Sequence, residues 1–208
     1  INIDPKAYSP LLVLGNEKQK LKLLFNSFVR DHVINNKNIN VLCLDFHPLN
    51  MDNVSSSLLK KDKIYKYSNN EKNFFEHLIE INKKSLNSKK INLLLILGLD
   101  ESLSFKENIT DDIGSQTDNK TKENLLKIIR ERLSLNIIPI VFLRNLSNFS
   151  SVFDSLIYEN SISSDVFSRR IYMDTPQEFN YDYGNLSKYK VFYHDLEKST
   201  QQILTIFE

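Results

Sequence analysis

Residues 15–22, GNEKQKLK, have the position and length of a phosphate-binding loop between a strand and a helix. In the pattern G-x-x-x-x-G-K-[ST], loop amides surround phosphate, the lysine reaches the terminal phosphates and the hydroxyl holds magnesium. Here Lys20, Leu21 and Lys22 occupy the last three places. A residue with a Cβ does not easily adopt the left-handed backbone that turns loop amides toward an anion. We therefore predict a degenerate phosphate loop formed by Gly15, Asn16, Glu17, Lys18, Gln19, Lys20, Leu21 and Lys22.

Two carboxylates, Asp100 and Glu101, follow an apolar strand and are the second candidate chemical group. An acidic residue at the end of such a strand can hold magnesium and polarise an attacking water. The alternative is that both residues cap the turn or helix that follows. Gly98 occupies the strand-end position where an aspartate would be standard. Both interpretations stay open at this point.

The remaining metal-binding and nucleophilic residue types do not form sites in the sequence. Each histidine lacks a second histidine or cysteine at ligand spacing, so none is expected to bind metal: His32, His47, His77 and His194. The acids of the polar stretch 104–124 do not match a calcium loop: Asp111, Asp112 and Asp118. The lone Cys43 lies in an apolar run and is expected to be buried. No internal disulfide is possible, which suits a reducing compartment.

Alternating strands and helices position these residues. The predicted strands are 11–14, 39–46, 64–67 (at an edge), 91–97, 137–143, 169–173 and 189–193. The first predicted helix follows a short polar turn after Gly15 and has apolar residues at Leu21, Leu24, Phe25, Phe28, Val29 and Val33. Further helices are predicted over about 70–85, 125–135 and 149–158, and Ser199 is predicted to cap a last helix with Ile203 and Phe207 inward. Residues 49–59 are weakly helical, and 104–124 are expected to be a mobile loop. Pro139 favours an edge or first-pair position for its strand. The pattern predicts an α/β fold with a mainly parallel sheet.

The chain has 208 residues, 41% of them apolar and 25% charged, which suffices for one sizeable core. We expect residues 1–8 to be a linker and 9–208 to be a single domain. The absence of an initiator methionine suggests a piece of a longer protein. A net charge of +1 indicates no general attraction to nucleic acid or acidic lipid. No apolar run reaches the roughly 20 residues that span a bilayer.

Four segments resemble the FtsK/SpoIIIE class of P-loop ATPases. They are SPLLVLGNEKQKLKLLFNSFV, INLLLILGLDE, LLKIIRERLSLNIIPIVFLRN and RRIYMDTPQEFNYDYG. Within that class the chain is most similar to the third, C-terminal and degenerate ATPase domain of type VIIb secretion coupling proteins, the EssC family. The departures at Lys20, Leu21 and Gly98 affect hydrolysis and leave the P-loop NTPase fold in place.

The resemblance implies a membrane-anchored, multidomain ATPase that faces the cytoplasm and assembles into hexamers. Its implied partners are the upstream ATPase domains of the same chain and secreted helical-hairpin substrates of the WXG type. No nucleic acid is expected. ATP and magnesium belong to related domains, and no cofactor is expected in this one. We expect a helical substrate terminus to dock in a concave, partly apolar site near residues 16–22 and 100–105.

Three functions remain in competition. The first is a lapsed ATPase domain that recognises substrate or regulates export. The second is a live NTPase in which Lys20 or Lys22 replaces the missing lysine, although a shift along the helix moves the ammonium to another face. The third is a DNA motor, which would need a basic track with aromatic contacts that the near-neutral composition does not supply.

Overall fold

The computed structural model describes residues 10–29, 39–46, 64–68, 74–76, 78, 91–102, 116–153, 162–174 and 186–206. The strands are β1 (Leu11–Leu14), β2 (Ile39–Asp45), β3 (Ile64–Ser68), β4 (Ile91–Leu97), β5 (Ile137–Leu143), β6 (Arg169–Tyr172), β7 (Lys190–Asp195) and β8 (Thr200–Thr205). The helices are α1 (Lys18–Val29), α2 (Gln116–Arg130) and α3 (Ser147–Phe153), with 3-10 turns at Leu99–Glu101 and Ser164–Val166. Residues 74–76 and 78 are also helical.

The strands form one mixed sheet in the order β3-β2-β4-β5-β1-β6-β7-β8. The six strands from β3 to β6 are parallel, and β7 and β8 add antiparallel pairs at one end. The predicted α/β class with a mainly parallel sheet is therefore confirmed. β4 lies centrally between β2 and β5, and its apolar sequence INLLLIL is buried on both faces, as expected for such a strand. The predicted edge position of β3 is also confirmed.

Two apolar layers cover the two faces of the sheet. One layer joins α1 to the sheet through Leu21, Leu24, Phe25 and Phe28. The other joins α2, α3 and residues 75 and 78 to the opposite face. Cys43 is buried in the first layer, as predicted, and burial raises the pKa of its thiol. No helix among the described residues is long and apolar enough to cross a lipid bilayer.

The predicted C-terminal helix is wrong, because residues 200–205 form the edge strand β8. Ser199 does not cap a helix. Its φ of 49° is left-handed, and it lies in the tight turn between β7 and β8. Ile203 is exposed instead of inward. The i, i+4 spacing of Ile203 and Phe207 fits a helix locally, but the edge of β7 provides a hydrogen-bonding partner that the local pattern does not reveal.

Two other expectations need correction. Residues 116–124 belong to α2 and are not a mobile loop, and the helix ends at Arg130 instead of 135. The apolar residues of α2 lie in its second half, so its polar first half resembles a loop in sequence. Pro139 lies in a central strand, not at an edge. Its nitrogen faces β1, since the Leu143 carbonyl accepts from the Gly15 amide and alternate residues face the same neighbour. Among the described residues, pairing with β1 begins at Ile140, so Pro139 lies just before the first pair on that side, close to the predicted first-pair alternative.

The predicted linker 1–8, the helical stretch 49–59, residues 103–115, residues 154–158 and all of the predicted 70–85 helix except 74–76 and 78 lie outside the described residues.

Candidate functional site

The carboxyl ends of β1, β4 and β5 bring together the two groups predicted from the sequence. Because these strands are parallel neighbours, the residues that follow them meet at one edge of the sheet. The cleft between them has a volume of about 10 Å³, which is room for about one water. Its lining residues are Gly15, Asn16, Leu21, Gly98, Asp100, Glu101, Phe142, Leu143 and Arg144.

Most of the predicted phosphate loop is helix. Residues 15–17 form the connection, and α1 begins at Lys18, with the Leu21 amide donating to the Glu17 carbonyl at 2.9 Å. Lys20 is therefore helical, so the predicted conflict between its Cβ and a left-handed backbone does not arise. Because the helix starts at Lys18, only residues 15–17 connect β1 to it, which leaves few loop amides to surround an anion.

Position 15 requires a glycine because Met173 leaves no room for a side chain there. Its φ is 138°, and its amide donates to the Leu143 carbonyl at 3.0 Å, which extends the pairing of β1 with β5. A Cβ at this position would lie 2.6 Å from the Cβ of Met173 and 2.9 Å from its sulfur. The glycine thus allows the end of β1 to lie against the residue that follows β6.

Lys20 is fully buried and points away from the cleft. Its Nζ donates to the Met173 carbonyl at 2.6 Å and to the Leu186 carbonyl at 3.2 Å. Carboxylates of Glu17 and Asp174 lie 3.1 Å and 3.6 Å from the same nitrogen. Both carboxylate side chains are substantially solvated, so the two carbonyl bonds are the stronger contribution. The ammonium therefore connects α1 to the segments after β6 and before β7.

The other two motif positions also fail to supply a cation. Leu21, in the lysine place, is buried in the apolar layer beneath α1 and lines the cleft. Lys22, in the hydroxyl place, is exposed and does not line the cleft. Neither Lys20 nor Lys22 thus takes over the position of a phosphate-binding lysine.

Asp100 is a buried carboxylate at the cleft wall. It follows Gly98, whose left-handed φ of 65° starts the 3-10 turn Leu99–Glu101. Asp100 Oδ2 accepts from the Asn148 side-chain amide at 2.5 Å and from the Arg144 backbone amide at 3.3 Å. Asp100 Oδ1 is buried and has no hydrogen-bond partner among the described residues. The carboxylate therefore connects the turn after β4 to the start of α3.

Glu101 pairs with Arg144 at the mouth of the cleft. Its Oε1 accepts from Arg144 Nε at 3.0 Å and from Nη2 at 2.6 Å. These hydrogen bonds raise the pKa of the Arg144 guanidinium, and the charge of Asp100 adds to the effect. The pair joins the ends of β4 and β5 and engages two of the N–H groups of Arg144.

The structure thus brings Asp100 and Glu101 beside Gly15 and Asn16, as the sequence suggested, while Lys18, Gln19, Lys20 and Lys22 do not line the cleft. Sequence reasoning did not include Arg144 or Asn148 in the site. The available signal was positional, because Arg144 follows an apolar parallel strand in the same way as the acidic pair does.

The charges and volume of the cleft decide its chemistry. Asp100, Glu101 and Arg144 are the ionisable side chains of its described lining, and no lysine lies there. A lysine is the group that reaches the terminal phosphates in a P-loop site, whereas acidic residues at this place hold magnesium. The cleft itself is too small for a helical terminus, and the predicted docking site, which also includes residues 103–105 outside the described ranges, stays a prediction. Within the described ranges, no group of three or more histidine, cysteine, aspartate or glutamate side chains could hold a metal ion.

No family model and no curated protein sequence matches the chain. Solved structures do resemble it. One is Thermomonospora curvata EccC (ATPases 2 and 3) in complex with a signal sequence peptide. The likeness covers 100% of this chain and 38% of the EccC chain, with 11% identity and a TM-score of 0.63. Another is EssC (ATPases 2 and 3) from Geobacillus thermodenitrificans. The likeness covers 97% of this chain and 40% of the EssC chain, with 14% identity and a TM-score of 0.55.

A third similar structure is the genome packaging NTPase B204 of Sulfolobus turreted icosahedral virus 2 in complex with ATP-gammaS. The likeness covers 99% of this chain and 100% of the viral protein, with 13% identity and a TM-score of 0.58. The chain therefore spans less than half of the EccC and EssC chains and matches one full viral NTPase. Together with the strand order, these likenesses assign the chain the P-loop NTPase fold of the FtsK-like type.

Proposed function

We propose that the chain is a single P-loop-fold domain, residues 9–208, that has lost nucleotide chemistry and recognises substrate or regulates export within a protein-secretion motor. The observation that carries this proposal is the cleft, in which buried Leu21 stands in the place of the phosphate-binding lysine and no lysine belongs to the described lining. No ATP or magnesium is required by this function.

The electrostatics of the cleft support the loss of nucleotide binding. Charge-assisted hydrogen bonds to phosphate contribute about 1.5–3 kcal/mol each, and this site has lost its lysine. Arg144 already donates from Nε and Nη2 to Glu101, so part of its charge and two of its N–H groups are engaged. The early start of α1 also removes most of the loop amides that would surround an anion.

The likeness to EccC and EssC supports a place in a secretion motor. In both of those structures the chain corresponds to well under half of a segment that contains ATPases 2 and 3. We therefore propose that the preceding ATPase domains of one longer chain are its neighbours, and that the whole protein forms hexamers at the cytoplasmic side of a membrane. The EccC structure contains a signal sequence peptide. By analogy, the proposed substrates are secreted helical hairpins of the WXG type.

Isothermal titration with magnesium-ATP is expected to give no measurable heat, because the dissociation constant should be weaker than about 1 mM. A fluorescent ATP analogue competed with unlabelled ATP provides a second readout. A dissociation constant in the low micromolar range would contradict the proposal and favour a live NTPase.

Leu21→Lys is expected to leave ATP turnover at background although it restores the lysine of the motif. The new ammonium would face Asp100 and Glu101, which line the same cleft and would pair with it. Steady-state phosphate release is the measurement, with Lys22→Met as a control at an exposed neighbouring position. Turnover well above that of the control would mean that the site retains far more of its geometry than we infer, since phosphoryl transfer needs several groups in place.

The recognition role is tested by titrating the chain with helical-hairpin substrates encoded beside it and following backbone amide shifts. We expect shifts around exposed residues at the start of α1, which are Lys18, Gln19 and Lys22. A sequence-scrambled hairpin serves as the control. No shifts with any substrate, together with tight binding to the preceding ATPase domain, would replace recognition with a purely structural role.

A further inference from the structure

The edge strand β8 lacks the features that normally prevent strands from pairing between molecules. It has no charged residue and no proline, and five of its six side chains are exposed: Thr200, Gln201, Gln202, Ile203 and Thr205. The opposite edge strand, β3, has the sequence IYKYS and contains Lys66 at its centre. A charged residue, lysine above all, is a common protection of an edge strand. Of these two edge strands, only β8 therefore lacks a charged residue.

The hydrogen-bonding groups on the outer side of β8 can be assigned. The Ile206 amide donates to the Tyr189 carbonyl at 2.7 Å, and the register continues through Leu204 opposite Val191. In an antiparallel pair, alternate residues direct both backbone groups toward the same neighbour. The even-numbered residues of β8 thus bond to β7. Gln201, Ile203 and Thr205 direct their N–H and C=O groups outward, where no described strand lies.

We propose that β8 pairs antiparallel with β8 of a second copy of this chain, about a twofold axis at Ile203. In this register Ile203 lies opposite Ile203 of the partner subunit, and Gln201 lies opposite Thr205 of the partner subunit. Every outward N–H and C=O group of the strand then has a partner. The pairing joins two eight-stranded sheets into one continuous sheet.

Charge and side-chain matching favour a second copy as the occupant. The strand is uncharged and the whole chain has a net charge of only +1, so two copies do not repel each other strongly. On the face of Ile203, the register places apolar against apolar and polar against polar, the pairing that stabilises antiparallel sheets. It also covers Ile203, one of only two large hydrophobic side chains found exposed in the described ranges, the other being Leu133. A six-residue strand pair is small, so we expect a weak, concentration-dependent dimer.

Sedimentation equilibrium of the 208-residue chain is expected to show a monomer–dimer equilibrium. We expect its dissociation constant to be below about 0.5 mM, which this method can measure. Ile203→Lys places like charges opposite each other at the axis and should weaken dimerisation at least about tenfold. Leu133→Lys makes the same change at the other exposed side chain and should leave the equilibrium unchanged. A strictly monomeric wild type, or an undiminished dimer of Ile203→Lys, would overturn the proposal.

The register is tested with single cysteines and a short thiol-reactive crosslinker, because the native Cys43 is buried. Ile203→Cys should crosslink rapidly, since directly opposite residues are about 5.5 Å apart. Thr200→Cys should not, since the two copies of that position would be roughly 20 Å apart along the strands. Equal crosslinking at both positions would overturn the proposed pairing.

Discussion

Lys20→Met should lower the free energy of unfolding by about 3 kcal/mol, a shift in melting temperature of roughly 6–12 °C for a chain of this size. The substitution keeps the unbranched side chain and removes the ammonium. The carbonyls of Met173 and Leu186 then lose charge-assisted hydrogen bonds. Each such bond contributes about 1.5–3 kcal/mol, and relief of the cost of burying the ammonium offsets part of the loss.

Urea denaturation followed by circular dichroism measures this effect. Lys22→Met is the matched control, because Lys22 lies on the same helix and is exposed. Its stability should stay within about 0.5 kcal/mol of the wild type. If both variants unfold at the same urea concentration as the wild type, the contacts of Lys20 contribute nothing to stability, and our account of this residue is wrong.

Gly15→Ala is expected to destabilise the fold by about 2–4 kcal/mol through overpacking and backbone strain. The added Cβ would lie 2.6 Å from the Cβ of Met173, an atom attached to the backbone that cannot move aside by rotation. The φ of 138° adds strain for any residue with a Cβ. Either β1 or the start of the segment after β6 must shift, and both belong to the centre of the sheet.

A double-mutant cycle with Met173→Gly identifies the cause. Removing the Met173 side chain eliminates the atoms that the new Cβ would meet, so the double variant should be more stable than the sum of the single effects predicts. Thermal unfolding of the four proteins supplies the comparison. Purely additive effects would show that backbone strain at Gly15, and not contact with Met173, produces the loss.

The contacts of Lys20 also bear on whether the phosphate-loop motif could be restored. A return to the motif would replace Lys20 with glycine, which removes the ammonium that bonds to the Met173 carbonyl and introduces glycine into the first turn of α1. Restoring the glycine of the motif at position 20 is therefore expected to lower the stability of the fold.

The sequence alone was enough to predict a mainly parallel sheet and to show that residues 15–22 depart from the phosphate-loop motif. The strands 91–97 and 137–143 are continuous apolar runs of strand length, which indicate buried parallel strands without knowledge of their neighbours. The absence of lysine at position 21 and of glycine at position 20 is a local fact. So is the position of Asp100 and Glu101 just beyond a strand end, which in a parallel sheet places them beside the loop after β1.

Tertiary structure alone decided the roles of Lys20 and of residues 200–205. Among neighbouring polar residues, Lys20 resembles a solvated lysine, and the carbonyls that it contacts are 153 and 166 residues away in the sequence. The spacing within 200–208 fits a helix, but β7 provides a ladder of hydrogen bonds that favours a strand. In both cases the deciding free energy comes from partners distant along the chain, and a local pattern does not contain them.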